Sequence, residues 1–220
     1  KSGESCDLIS VFCQPLPATV ICEMLGIPLE ERDRFRELVE DIMHFSTAGG
    51  PNMKNHVERA HAALREVIVL FERLVAERRR EARDDLLSAL VTAEADGETL
   101  SNDELYAMCV FVFLAGHETT TNGIASGIMA LLTHPEQFDK LKSDVDAHVR
   151  GTVEEALRYE SPVTRAVRKA REEIVLEGKT ITAGQLVVFL LGAADRDPAI
   201  FPEPDAFDIT RTPNKHLAFG

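Results

Sequence analysis

Apolar residues recur at helical spacing along most of the first 148 residues and predict a series of amphipathic helices. Gly26 and Pro28 are suited to ending one helix and beginning the next, which is predicted over residues 29–45. Gly49, Gly50 and Pro51 should break that helix. A longer helix follows over residues 55–80. Its predicted buried face consists of Ala63, Val67, Leu70, Phe71 and Leu74.

The clearest helix start is Ser101, which is followed three residues later by Glu104, the spacing of a capping box. The helix that it opens is predicted from Asn102 to about Thr133, where His134 and Pro135 end it and begin the next. A shorter helix near residues 85–95 precedes it and should end at Asp96–Gly97. Residues 110–115 are apolar on nearly every side, so the long helix is expected to cross the middle of the molecule.

Beyond Pro162 the pattern changes to short β-type runs at 174–176 and 186–190, separated by Gly178 and Gly184. They predict a small sheet or hairpin. The tail from residue 193 is rich in proline and aspartate with interspersed apolar residues, which is typical of an ordered meander. The predicted fold class is therefore mainly α with a small β portion.

Composition excludes several classes of function. The net charge of −13 over 220 residues argues against a nucleic-acid-binding protein. The longest apolar run falls well short of the roughly twenty residues that a spanning helix needs, so no membrane segment is predicted. Four cysteines, at 6, 13, 22 and 109, form no Cys-x-x-Cys pair, which indicates neither a zinc site nor a disulfide framework. A reducing cytoplasm is the expected compartment.

The long helix contains an unusual polar stretch directly after its apolar run. His117 and Glu118 begin a His-Glu-x-x-His zinc motif, but Thr121 stands in place of the second histidine. The stretch is then either an ordinary polar turn of a helix or a polar device in a helix that lines a reaction pocket. The residues of this helix alone leave both interpretations open.

Four motifs in series decide between them. "AGHETT", "EEALRYESPV", "AADRDPAIFPEPDAFDITR" and "HLAFG" occur in that order, and together they resemble the bacterial soluble cytochrome P-450 family of haem-thiolate monooxygenases. The resemblance implies a cytochrome P-450-like helical fold, incomplete at both ends. It further implies one partial domain over residues 1–220, with a helical part over about 17–160 and a β and meander part over about 161–220.

The resemblance implies that Glu118 and Thr119 are the catalytic pair beside the oxygen-binding position. Cleavage of dioxygen requires protons to be delivered while bulk water is kept away, and a hydroxyl recharged by a carboxylate can relay them. Ala115 and Gly116 would keep side-chain bulk away from this position.

The implied cofactor is heme b. Arg168, favoured over Arg165 by its phase in "RKA", would bind one propionate, His216 would donate to the other, and Phe219 would begin the haem loop. The sequence ends at Phe219–Gly220, before the position of the family's ligand cysteine, and none of the four cysteines present lies in that context. We therefore expect an internal fragment with no metal ligand of its own, inactive by itself.

Other positions are implied as supporting residues. Glu155, Arg158 and Arg211 would form a buried structural triad that fixes the region of the haem loop. Leu114, Val163 and Thr164 would face the substrate, although each could equally be core, and residues 49–52 would belong to a mobile lid.

The implied activity is insertion of one oxygen atom from dioxygen into a lipophilic small molecule. Electrons would come from a ferredoxin or flavodoxin-type donor with a nicotinamide-dependent reductase. The competing hypothesis is a non-catalytic, degenerate helical scaffold that binds a partner.

Overall fold

The computed structural model describes residues 5–47, 53–95 and 98–220. The chain divides into two compact units, Lys1–Thr121 and Asn122–Gly220, and each is described by itself. The predicted breaks at 49–51 and 96–97 and the predicted lid at 49–52 lie outside the described residues.

The first unit is almost entirely helical, which confirms the prediction from the apolar pattern. Its elements are a π-helical turn (Ile9–Cys13), α1 (Pro15–Met24), a 3-10 turn (Leu29–Glu31), α2 (Arg32–Thr47), α3 (Met53–Arg80), α4 (Leu86–Thr92), the short strands β1 (Glu94–Ala95) and β2 (Glu98–Thr99), and most of α5 (Asn102–Thr133). β1 and β2 form a two-stranded antiparallel ladder.

Three phenylalanines form the centre of the first unit. Phe35 of α2, Phe71 of α3 and Phe113 of α5 are all fully buried. The ring of Phe35 meets those of Phe71 and Phe113 edge to face, at centroid distances of 5.7 and 4.9 Å. Such pairs add about 0.5–1.5 kcal/mol beyond their area burial, so they help to hold the three helices together.

The start of α5 is the predicted capping box. The Ser101 backbone N–H donates to Glu104 Oε2 at 2.9 Å, and the Glu104 N–H donates to Ser101 Oγ at 3.3 Å. The hydrogen bonds that the Ser101 N–H and the Ser101 hydroxyl donate to the Glu104 carboxylate lower the pKa of that carboxyl below its usual value. The observed helix, Asn102–Thr133, has the predicted bounds.

The second unit begins with the end of α5 and continues with shorter elements. These are α6 (Pro135–Ser143), α7 (Val145–Tyr159), the strands β3 (Ala166–Lys169), β4 (Ile174–Leu176), β5 (Lys179–Ile181) and β6 (Leu186–Phe189), and the short helix α8 (Leu191–Ala194). Residues 195–220 follow as turns and bends, which is the predicted meander.

The strands predicted at 174–176 and 186–190 are observed as β4 and β6, but they do not pair with each other. β4 pairs with β5 across the two-residue turn Glu177–Gly178, whose φ angles of 48° and 75° are both positive. Turns of this kind match the twist of a hairpin, and they favour Gly at the second position. β6 pairs with β3 instead, so the described residues of the second unit contain two separate antiparallel ladders.

α7 lies directly against the backbone of the meander. A Cβ placed on Gly151 would come within 2.3 Å of the Ile209 carbonyl oxygen, so a residue without a side chain is required there. Ile209 and Phe207 are buried beside Ala130 of α5 in a small core. Glu155 lies one turn further along α7, so the close approach of Gly151 to Ile209 also places Glu155 beside the meander.

Candidate functional site

In the first unit, α5 has one buried face and one exposed face. Phe113 and His117 lie on the buried face, where His117 Nε2 is 3.3 Å from the Gln14 carbonyl oxygen. Phe111, with 62% of its surface exposed, and Glu118 lie on the exposed face. His117 is therefore a packing residue of the core, and Glu118 is an accessible member of the polar stretch.

Thr119 bonds back to its own helix. Its Oγ1 donates to the Ala115 carbonyl oxygen at 2.6 Å, one turn earlier. The hydroxyl proton is thus held at a defined position, while the lone pairs of the oxygen are left to accept. The Glu118 carboxylate has no hydrogen bond or ion pair with any described residue and is exposed to water.

Gly116 and Leu114 serve packing within the first unit. A Cβ on Gly116 would lie 2.8 Å from Cδ1 of Ile21, so the missing side chain lets α1 approach α5. Leu114 is half-buried and packs against the core of the first unit, which agrees with the core role that the sequence left open for it.

In the second unit, Glu155 is the centre of a buried ionic cluster. Arg158 donates to both of its carboxylate oxygens at 2.8 Å, and Arg211 Nε lies 3.2 Å from both. The Asp208 backbone N–H and Asn214 Nδ2 complete the set at 2.9 and 3.1 Å. The side chains of Glu155 and Arg158 are fully buried, and that of Arg211 is 10% exposed.

The two arginines of this cluster tie α7 to the meander through backbone carbonyls. Arg158 donates to the carbonyl oxygens of Asp195, Pro204 and Ala206 at 2.8–3.0 Å, which completes the use of its five N–H groups. The carbonyl acceptors of Arg211 are Pro202, Glu203 and Ala206, at 2.7–3.2 Å. The meander has almost no regular secondary structure, so these bonds largely determine its path.

The two arginines considered for a propionate are both exposed. Arg168 lies on β3 and its Nη1 donates to the Val167 carbonyl oxygen at 3.0 Å. Arg165 forms no hydrogen bond or ion pair with the described residues. Each guanidinium keeps donors available for an anionic group.

His216 is engaged within its own unit. Its Nδ1 accepts from the Ala218 backbone N–H at 3.2 Å, which assigns the proton to Nε2, 3.0 Å from Glu154 Oε2. The side chain is 6% exposed. A bond from His216 to a propionate would therefore require Nε2 to exchange its present partner.

The remaining predicted positions of the second unit differ in their surroundings. Thr164 borders a shallow pocket of about 510 Å3 that also contains Arg165, Leu190 and Gly192. Val163 is not among the residues of that pocket, and its carbonyl oxygen accepts from Ser161 Oγ at 3.0 Å. The Phe219 ring is 86% exposed.

Sequence reasoning missed two polar residues near the cluster, the buried Asp195 and the half-buried Asn214. Asp195 is fully buried, and its Oδ1 accepts from the Leu217 backbone N–H at 2.7 Å. Asn214 Nδ2 donates to Glu155. Asp195 Oδ2 and Asn214 Oδ1 have no hydrogen-bond partner among the described residues. Asp195 lies inside a motif that was recognised, "AADRDP", but nothing in its spacing marks it as buried.

Two of the buried cysteines, Cys22 and Cys109, do not present thiolates. Burial raises the pKa of the Cys22 thiol to about 11 and that of Cys109 to about 12, so both are protonated at neutral pH. Among the described residues, no group of three or more His, Cys, Asp or Glu side chains is placed to hold a metal ion. Nor does any helix in the described ranges combine the length and apolarity needed to cross a membrane.

Comparison with known proteins identifies the class. The sequence profile of the family described as Cytochrome P450 matches residues 32–217. A cytochrome P450 of Bacillus subtilis (strain 168) is 41% identical over 215 residues, which cover 97% of this chain and 51% of that protein. The chain therefore belongs to the cytochrome P450 family.

Solved structures agree with this assignment. The bacillaene polyketide synthase cytochrome P450 PksS of Bacillus subtilis 168 superposes with a TM-score of 0.89 at 38% identity, over 98% of this chain and 54% of that one. A Bacillus megaterium cytochrome P450 in complex with testosterone gives a TM-score of 0.90 at 33% identity, over 98% and 57%. The chain thus spans about half the length of the relatives it matches.

Proposed function

We propose that the complete protein containing this sequence is a haem-dependent monooxygenase that inserts one atom of dioxygen into a lipophilic small molecule. The observation that carries the proposal is the family match over residues 32–217, within which α5 presents Glu118 on its exposed face beside a hydrogen-bonded Thr119. A scaffold without catalysis would have no use for that pair.

The donor set supports a haem only in part. Arg168 is an exposed guanidinium with donors to spare for a propionate, and Ala115 and Phe219 offer exposed apolar surface. Gly116 would contribute backbone without side-chain bulk. His216 is the least supported member, because Glu154 already holds its Nε2. The haem, held by these residues, would be heme b and would supply the redox chemistry that activates dioxygen.

The role of Glu118 and Thr119 is to control protons. The Ala115 carbonyl oxygen orients the Thr119 hydroxyl, so that the hydroxyl can accept a proton at its lone pair and release its own. Glu118, which has no partner among the described residues, can take protons from water and return them to the hydroxyl. Together they would deliver protons from solvent to the oxygen-binding position.

Thr119→Ala tests this role in the complete protein. We expect continued consumption of the nicotinamide, but less oxidised product and more hydrogen peroxide for each nicotinamide consumed, because protons are no longer delivered in step with electrons. Loss of one general acid–base group costs about 10²-fold or more in the step that it serves. Thr119→Ser should retain most of the coupling.

Thr120→Ala is the matched control, since Thr120 is the exposed neighbour of Thr119 on the same helix. The Thr120 variant should couple like the unmodified protein. A ratio of product to nicotinamide that is unchanged in the Thr119→Ala variant would refute the proton-delivery role.

We further propose a lipophilic substrate that reaches Thr164 and, by resemblance, Leu114 and Val163. The bacterial relative solved with testosterone supports this class of molecule. Electrons would arrive from a ferredoxin or flavodoxin-type donor with a nicotinamide-dependent reductase, and the cytoplasm would be the place of action.

A further inference from the structure

Asp195 is a buried carboxylate without a cation of its own. It lies immediately after α8, at 0% exposure, and no lysine or arginine side chain among the described residues forms an ion pair with it. Burying an ionised group is unfavourable unless it is hydrogen-bonded or paired. The burial of Asp195 therefore indicates that its carboxylate has a structural role that depends on its hydrogen bonds.

Backbone contacts attach Asp195 firmly to the ionic cluster. Its carbonyl oxygen accepts from Arg158 Nη1 at 2.9 Å, and its N–H donates to the Leu191 carbonyl oxygen at 3.0 Å. Asp195 thus occupies a fixed place between the end of α8 and the fully buried guanidinium of α7. A carboxylate fixed in this way can hold the backbone of another segment in a defined position.

The segment it contacts is 215–219. Asp195 Oδ1 accepts from the Leu217 N–H at 2.7 Å, the short distance of a charge-assisted hydrogen bond. Ala218 is buried, but the larger apolar side chains of the segment, Leu217 and Phe219, are 43% and 86% exposed, so apolar burial contributes little beyond one methyl group. Within the part of the chain that the structure describes, the other side-chain hydrogen bond from this segment to a residue outside it joins His216 to Glu154, whose side chain is half exposed.

We propose that Asp195 is a positioning residue whose buried carboxylate oxygen fixes the backbone of 215–219 through the Leu217 N–H. In this way the path of the segment that carries Phe219 depends on the Glu155, Arg158 and Arg211 cluster. Any effect of Asp195 on haem binding rests on the proposed function, whereas the contact between Asp195 and the Leu217 N–H does not.

The test is amide hydrogen exchange in the complete protein containing this sequence. The Leu217 N–H should exchange about tenfold or more slowly than the Phe219 N–H, for which the structure gives no acceptor among the described residues. Equal exchange rates at the two amides would overturn the proposal without any variant being made.

Two variants separate positioning from general stability. Asp195→Ala should speed exchange at Leu217 by about tenfold or more, while the Glu160 N–H at the end of α7, bonded to Ala156, changes by less than about threefold. Asp195→Asn keeps an acceptor oxygen and should leave Leu217 protected. Equal acceleration at both amides in the alanine variant, or an asparagine variant as unprotected as the alanine one, would overturn the proposal.

Asp205→Ala is the control, since this carboxylate of the same meander is 88% exposed and pairs with Arg196. It should change exchange at neither Leu217 nor Glu160. Haem loading, followed by the haem absorption spectrum, is measured separately. Failure to bind haem with the predicted exchange pattern intact would count against the proposed function and not against the role of Asp195.

Discussion

Arg158 of α7 uses all five of its N–H groups, two on the Glu155 carboxylate and three on backbone carbonyls of the chain beyond α8. The spacing of Glu155 and Arg158 predicted a pair on one helix face, and the structure contains it. The three carbonyl acceptors of Arg158 depend on the path of the meander, which has no periodicity to predict from. Asp195 was missed for the same reason, because its burial follows from the path of the chain and not from its neighbours in sequence.

Arg158→Leu should lower the free energy of unfolding by about 3–5 kcal/mol, because it leaves the Glu155 carboxylate buried beside a hydrophobic side chain. Arg158→Lys should recover little of this loss, since an ammonium offers three donors where the guanidinium uses five. Urea unfolding of the complete protein measures both values.

Arg171→Leu provides the control for that series, because Arg171 is exposed and has no hydrogen bond or ion pair with a described residue. It should change stability by less than about 0.5 kcal/mol. If Arg158→Leu unfolds at the same urea concentration as Arg171→Leu, the cluster does not stabilise the fold.

The lowered pKa of the Asp85 carboxyl should make the stability of the first unit depend on pH in the acid range. Burial alone would raise the pKa of its carboxyl, but hydrogen bonds from Ser88 and pairing with Arg78 outweigh burial and lower it. A pKa lower in the folded than in the unfolded state adds stability above the unfolded value, about 4, and that stability is lost as the pH falls through the folded value.

Asp85→Asn should therefore be less stable than the unmodified protein at neutral pH and should lose less stability between about pH 5 and pH 3. Asp84→Asn is the control, because its carboxylate is the exposed neighbour in sequence. Urea midpoints at the two pH values give the comparison. An equal loss of stability in the Asp85 variant and the unmodified protein would remove Asp85 from the acid response.

Among the elements, helices were more predictable than strand pairs. The bounds of α5 follow from local signals, a capping box at one end and His134–Pro135 at the other, and both are observed. The turn at Glu177–Gly178 pairs β4 with β5, and β6 pairs with β3. β3 was not predicted, because its charged residues Arg168 and Lys169 do not fit an apolar β-type run. Pairing depends on contacts between segments, which a hydrophobic pattern does not specify.

Ser101→Ala removes the N-terminal cap of α5 and should lower the free energy of unfolding by about 1 kcal/mol. Ser143→Ala is the control, because that exposed hydroxyl donates to a carbonyl of its own helix, Lys140, and caps no N-terminus. Its effect should stay below about 0.5 kcal/mol. Thermal or urea unfolding checks both, and equal effects would show that the cap contributes nothing measurable.

For the whole chain, the order of the motifs was more informative than any single motif. Glu-x-x-Arg occurs three times, and the first two occurrences provide surface residues: Arg34 is more than half exposed and pairs with Glu37 and Glu66. The third, Glu155 with Arg158, is fully buried. Burial distinguishes the copies, and the sequence could separate them only by their neighbours in the "EEALRYESPV" motif.

Gly151 carries a consequence for anyone who engineers this protein. Replacing a glycine inside a helix with alanine normally stabilises it by about 0.5–1 kcal/mol, so stabilisation schemes based on helix propensity would select this position early. Here the added methyl group would collide with the Ile209 carbonyl and push the meander off α7 one turn from Glu155. The sign of the substitution is reversed, and a sequence-guided thermostability library should leave position 151 unchanged.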